Sequence, residues 1–170
     1  RNIIRPHRLG ELLEQVEDRL LVIGQPLRGG AGFPAPHDED ELFFLEKFIS
    51  WMRHCHKNDL AKTLEFVGEI GKLGREKQKN FLAYAERIIR NALLINYKIP
   101  HLASLNQEEK DFLVKFGQFI THTNVLSFSE ELEKAQYHIE RNANPNILFM
   151  DLSMTFTILL MTAGNSAVKS

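Results

Sequence analysis

His54, Cys55 and His56 are the consecutive side chains best suited by type to hold a metal ion or attack an electrophile. On a helix, neighbouring residues point about 100° apart, so three in a row do not converge on one ion without distant help. The spacings that zinc uses, i to i+3 or i+4 or a CxxC knuckle, are missing here. A helix end with histidines favoured by the dipole is the simpler reading. Cys55 as a nucleophile would need a base and an electropositive setting. The run Asp38-Glu39-Asp40-Glu41 could ligate Mg²⁺, yet acidic residues also suit a helix N-terminus. Gly29-Gly30-Ala31-Gly32 has no following Lys-Ser or Lys-Thr and no preceding apolar strand, so it does not form a Walker-type phosphate loop. No nucleophile elbow, HExxH or paired cysteine occurs. These patterns predict no catalytic residue, no metal and no cofactor.

Two features point towards partners. Lys72, Arg75 and Lys79 gather positive charge around the start of a predicted helix, where it is mildly unfavourable. Such a placement suits an acidic partner or DNA; a solvated face with Glu76 compensating is the alternative. Asp151 stands among Ile147, Leu148, Met150 and Leu152 and must find a partner or stay at the rim. Arg141 or Asn142, or a neighbouring subunit, could supply that partner.

The elements that must position these residues read as helices. The chain has 170 residues, 44% of them hydrophobic, enough for one domain with a core. With 21 basic and 22 acidic residues the net charge is −1, which excludes a global field drawing the chain to nucleic acid or anionic lipid. The single cysteine excludes an internal disulfide framework and favours a reducing compartment. No signal peptide is recognisable, and a cytoplasmic setting is expected. The start at Arg1, without Met, suggests a piece of a longer protein.

Leu9 to Ile23 has helical spacing, and Gly24 to Pro36 reads as a linker rich in Gly and Pro. The expected domains are therefore 1–36, an N-terminal helix and linker, and 37–170, a helical array. Asp38 caps a helix to about His56 with Leu42, Leu45, Phe48, Ile49 and Met52 inward. Asn58 caps a second, with Leu60, Leu64, Val67 and Ile70 inward, closed by Gly71 and Gly74. A long helix covers Arg75 to Tyr97 with Phe81, Tyr84, Ala85, Ile88, Ala92 and Leu93 inward. Capping-box spacings at Asn106/Glu109 and Ser127/Glu130 open two more. These carry Phe112, Leu113, Phe116 and Phe119, then Phe128, Leu132, Ala135 and Ile139. Asn144 caps a last helix with Pro145 at its first position. Its apolar run, Ile147 to Met161, is interrupted by Asp151, Ser153, Thr155 and Thr157. It is shorter than the ~20 residues of a membrane span and reads as a buried core helix. With no sustained two-residue alternation, an all-α fold of five to seven helices is predicted, and the lack of a clean heptad favours a globular array.

The run His138-Ile139-Glu140-Arg141-Asn142-Ala143-Asn144-Pro145, with the apolar helix after it, resembles the C-terminal end of bacterial DNA polymerase III clamp-loader subunits. Phe48-Ile49-Ser50-Trp51-Met52-Arg53 and Leu73-Gly74-Arg75-Glu76-Lys77-Gln78-Lys79-Asn80-Phe81-Leu82 look like the delta-prime branch of that family in Bacteroidetes-type bacteria. The likeness covers about Asp38 to Met161, and residues 1–36 would be a remnant of the preceding lid region. It implies a collar domain, the helical module that packs with its counterparts into a ring beneath AAA+ ATPase-like modules. The ring-held ATPases load the sliding clamp during DNA replication. The family's arginine finger and zinc module fall outside the matched region, so this fragment would be non-catalytic, with other clamp-loader subunits as partners and DNA met only indirectly. No membrane and no small-molecule substrate is implied. Arg141, Asn142, Asn144 and Pro145 would fix the helix junction, and exposed residues around the last two helices would meet a neighbouring collar. The alternative is the ligand-binding or dimerisation domain of an all-α transcription regulator, which would hold an interior pocket of about 300 Å³ or more lined by Phe112, Phe116, Phe119 and Phe128. A thiol or metal enzyme built on His54-Cys55-His56 is the third class.

Overall fold

A computed structural model describes residues 38–167 except 101, 102 and 104, all within the compact unit Pro36–Ser170. The expected helix over Leu9–Ile23, the linker to Pro36 and the Gly29–Gly32 segment lie outside the described residues. What is described is all-helical, as the periodicity predicts, with no strand among the described residues. Six helices follow in order: α1 (Asp38–Lys57), α2 (Leu60–Gly71), α3 (Arg75–Asn96), α4 (Gln107–Phe116), α5 (Val125–Glu140) and α6 (Pro145–Ala167). A short 3₁₀ turn, Gly117–Phe119, extends α4.

The inward faces depart from the expected stripes in α1 and α2. Phe44, Leu45, Phe48, Trp51, Met52 and Cys55 are buried in α1, while Leu42 is exposed. In α2 the buried residues are Thr63, Phe66, Val67 and Ile70. Leu60 and Leu64, expected inside, are 59% and 54% exposed. The core draws in the aromatic side chains, and each helix is rotated to deliver them. Burying a leucine or a phenylalanine is worth a similar amount, about 1.5–3 kcal/mol, but each aromatic pair adds about 0.5–1.5 kcal/mol beyond its area. Trp51 is the centre: it stacks on Phe66 at 5.2 Å and lies 5.0 Å from Phe156 and 5.7 Å from Phe81. Its Nε1–H donates to Ser153 Oγ over 2.7 Å, which ties α1 to α6. The Ser153 hydroxyl donates in turn to the Phe149 carbonyl, so the buried indole N–H has a partner that is itself satisfied.

The long helix α3 is buried on more sides than its stripe predicts, with Leu82, Ile89, Leu94, Gln78 and Asn91 also inside. It pairs along its length with α5 and supports α4. At Gly117 an added Cβ would stand 3.0 Å from the Ala92 carbonyl, so a glycine lets the turn after α4 approach α3. The Asn106/Glu109 capping box forms in both directions. Its carboxylate also receives Tyr84 Oη at 3.0 Å and Arg87 Nη2 at 2.7 Å, locking α4 onto α3.

Two start signals are corrected. Asp59 caps α2, accepting from the Lys62 N–H, whereas Asn58 adopts φ 52° and closes α1. Ser127 lies inside α5, which begins at Val125. Asn124 precedes it with its side chain turned back to the loop, accepting from Thr121 N and donating to the Phe119 carbonyl.

Candidate functional site

The junction between α5 and α6 sets the direction of the last helix. Ile139 is buried and anchors the end of α5. Asn142 then turns the backbone left-handed, with φ 63°. Its N–H donates to the Ile139 carbonyl, and the Ala143 N–H to the His138 carbonyl at 3.0 Å. This pair of bonds satisfies carbonyls that a helix end otherwise leaves open. Arg141 lays its guanidinium 3.6 Å from the centre of the Tyr137 ring, on the exposed side. Asn144 Oδ1 accepts from Asn146 N at 2.9 Å, and Pro145 is the first residue of α6. The predicted stop and capped start are therefore both formed. At Gly71 an added Cβ would stand 1.9 Å from Asn146 Oδ1. The glycine lets the end of α2 meet the start of α6, and since the two helices pack on each other from that point, their chain directions oppose.

The last helix is longer and less buried than expected, a correction to its reading as a core helix. It reaches Ala167, and by length and composition alone Pro145–Ala163 could cross a membrane. One face carries Phe149, Leu152, Ser153, Phe156, Leu160 and Ala163 into the core. The opposite face presents Ile147, Met154, Ile158 and Met161, exposed by 71%, 59%, 63% and 50%. Spaced seven, four and three residues apart, they form one seam along the helix. Asp151 is exposed at the edge of this stripe. The Arg141 guanidinium lies on Tyr137 instead, and Asp151 forms neither an ion pair with it nor a hydrogen bond with Asn142. Leu60 and Leu64 continue the apolar surface. They lie on the same edge of α2 as Gly71, at about 100° per residue, and hence beside α6. The opposite edge of α2 faces α1, where Glu69 pairs with Lys47. Sequence periodicity misses this surface because the spacing puts Leu60 and Leu64 on the inward stripe of α2 and makes α6 a buried core helix.

The other candidate residues are dispersed. Lys79 is half-buried and pairs with Glu140 at 3.1 Å, so its charge closes α3 against the end of α5. Lys72 and Arg75 are exposed at the α2–α3 turn. Within the acidic run, Asp40 lies near Lys77 and Glu41 near Arg87, each at 3.7 Å. His54 Nε2 lies 2.9 Å from Ser50 Oγ, and the His56 ring packs on Phe119 at 4.8 Å. Between them Cys55 is buried against Ser153 and Thr157 of α6, and burial pushes its thiol up to about 12. The triplet thus points three ways, as helix geometry predicts. Phe112 and Phe116 stack on each other at 5.0 Å, and Phe128 packs on Phe156 at 4.6 Å, so the four phenylalanines fill space instead of lining one cavity. An open groove of about 380 Å³ runs beside α1, lined by Glu46, Ile49, Ser50, Arg53 and His54.

Comparison with protein-family models, with curated proteins and with solved structures finds no match to this chain. The functional reading therefore rests on the residues and their arrangement.

Proposed function

We propose that this chain is a collar-type assembly domain of a bacterial DNA polymerase III clamp-loader subunit, of the delta-prime kind, and carries out no chemistry itself. The observation that carries this reading is the exposed apolar face of α6, aimed by the Arg141-Asn142-Ala143-Asn144-Pro145 junction. A contiguous apolar surface on a filled helical array is what an assembly domain needs, since large exposed patches mark interaction sites. In this role the domain holds neighbouring ATPase modules in register, so that ATP binding there can open the clamp and place it on primed DNA. Its partners are other clamp-loader subunits, and the setting is the cytoplasm. Lys72 and Arg75 stand at a separate turn and would touch DNA only indirectly. The alternative, a ligand-binding regulator domain, has less support because its aromatics pack against one another.

The test is assembly with purified clamp-loader subunits of the same organism, followed by sedimentation. Replacing Asn144 and Pro145 together with alanine tilts α6 and should weaken assembly by tenfold or more. Unchanged affinity in a variant that keeps its helix content would sink the proposal.

A further inference from the structure

The seam on α6 has an internal symmetry. Ile147 and Met161 lie equally far before and after Met154, and so do Met150 and Ile158. At about 100° per residue, each of these pairs also straddles the direction of Met154 evenly around the helix. A face with that pattern is complementary to itself when turned by a two-fold axis through Met154. We propose that a second copy of this chain occupies the face, with the two α6 helices antiparallel and Met154 packed on Met154. This rests on the reading of α6 as an assembly face and names the occupant it takes when the chain is alone.

In that register Ile147 meets Met161 of the second copy and Met150 meets Ile158, so every contact joins two apolar side chains. Asp151 falls opposite Thr157, which is only partly buried and already donates to the Ser153 carbonyl. The two Asp151 carboxylates are then at least ~9 Å apart along the axis, at ~1.5 Å per residue, and both stay at the wet rim. A membrane surface would be a poorer occupant, because it would draw the same carboxylate towards hydrocarbon. The α2 edge widens the contact. With Gly71 beside Asn146 and the helices antiparallel, Leu64 stands level with Met154 and Leu60 with Ile158. Leu60, Leu64, Ile147, Met154, Ile158 and Met161 are each half or more exposed, which at roughly 200 Å² per large side chain is on the order of 600 Å². Two copies would bury on the order of 1,200 Å², the lower bound of a specific protein–protein interface.

Sedimentation velocity of the full 170-residue chain, from micromolar to a few hundred micromolar, reads the association directly. A dimer is expected, with its dissociation constant raised at least tenfold in Met154→Asp. Oxidised Met154→Cys should form a covalent dimer, since the native Cys55 is buried and the wild-type chain serves as the blank. Ile147→Cys should not cross-link to itself, but should cross-link when mixed with Met161→Cys. A monomer at every concentration overturns the pairing, and so does self-cross-linking of Ile147→Cys as fast as Met154→Cys, which would mean parallel helices. Flotation of a monomeric chain with phosphatidylglycerol vesicles, lost in Met154→Asp, overturns it in favour of a membrane surface. An intrachain disulfide in Val16→Cys/Met154→Cys overturns it in favour of the chain's own N-terminal segment. A monomer that still binds clamp-loader subunits through Met154 removes the self-pairing and leaves the collar reading. A dimer that binds none of them does the reverse.

Discussion

Two buried serines show opposite balances between a hydroxyl and its surroundings. Ser153 Oγ accepts the Trp51 indole N–H and donates to Phe149, so its loss leaves a buried donor without a partner. Ser153→Ala should therefore lower stability by about 1–3 kcal/mol in urea melts. Ser129 is buried on α5, and its hydroxyl has no hydrogen-bond partner among the described residues. Ser129→Ala removes that desolvated group and should raise stability, by up to about 1 kcal/mol. A destabilised Ser129→Ala would show that the hydroxyl has a buried partner after all. Cys55 permits a pH test. Its thiol is raised from 9.0 to about 12 in the fold by burial, so the unfolded chain loses this proton first. The unfolded state then binds fewer protons, and stability falls as pH rises from about 9 towards 12, by at most about 1.4 kcal/mol per pH unit. Burial moves the Tyr84 and Tyr97 hydroxyls the same way and adds to the alkaline loss. Alkylation of Cys55, the only cysteine in the chain, should be slow at pH 8 in the native state and fast in urea. Rapid native labelling would contradict the buried placement. None of these contacts was legible beforehand, because Trp51 and Ser153 are 102 positions apart and no local spacing relates them.

Three of the described helix ends share one device, and it separates what local sequence can and cannot show. α1, α3 and α5 each close on a residue with positive φ that is not glycine: Asn58 at 52°, Lys98 at 60° and Asn142 at 63°. At each, the next residue's N–H returns to the carbonyl five positions back, as in Ile99 to Leu94. Asparagine tolerates this conformation better than lysine, whose Cβ meets the carbonyl without a compensating polar group. Lys98→Gly should accordingly stabilise the fold by about 0.5–1 kcal/mol, and Asn58→Gly and Asn142→Gly by less. Equal gains at the three sites, measured by thermal melts, would show that the side chain is irrelevant there. The same device explains one of the two misplaced starts, and a loop contact explains the other. Asn58 has the chemistry of an N-cap but serves the end of the previous helix, which hands the cap to Asp59. Ser127 and Glu130 have capping-box spacing, but Asn124 is tied to the loop before α5 and lets the helix begin at Val125. Where the start signal had no rival, at Asn106 and Asn144, it was read correctly. Helix number and order were legible because breakers and caps recur between apolar runs. Helix rotation was not, because α1 and α2 offer more apolar residues than one face holds, and only the Trp51 cluster decides which turn inward.

At the scale of the whole molecule, the surplus of apolar side chains is the property that remains to be balanced. α6 divides its apolar residues between a face that completes the core and a face that the described fold leaves in water. The sequence shows one mostly apolar run and does not distinguish the two faces, because two of its four polar residues, Ser153 and Thr157, turn towards the core side while Asp151 stays exposed. Their hydroxyls spend their bonding on α6 carbonyls and on Trp51, which makes polar side chains acceptable inside while methionine and isoleucine stay outside. An exposed seam of this kind couples stability to association. A partner that binds only the folded chain shifts unfolding by mass action. If the second copy is that partner, the midpoint of thermal unfolding should rise by roughly 2 °C for each tenfold increase in chain concentration, for a protein of this size. Met154→Asp should flatten that dependence while leaving the dilute-limit midpoint nearly unchanged, because Met154 is exposed in the single chain. The dependence should also survive added salt, since the contact joins apolar side chains and both Asp151 carboxylates lie outside it. Differential scanning calorimetry over two decades of concentration, at low and high salt, gives both slopes. A slope that vanishes in high salt would place charge rather than the α6 seam at the contact, and a wild-type slope of zero would leave the exposed face to a different partner.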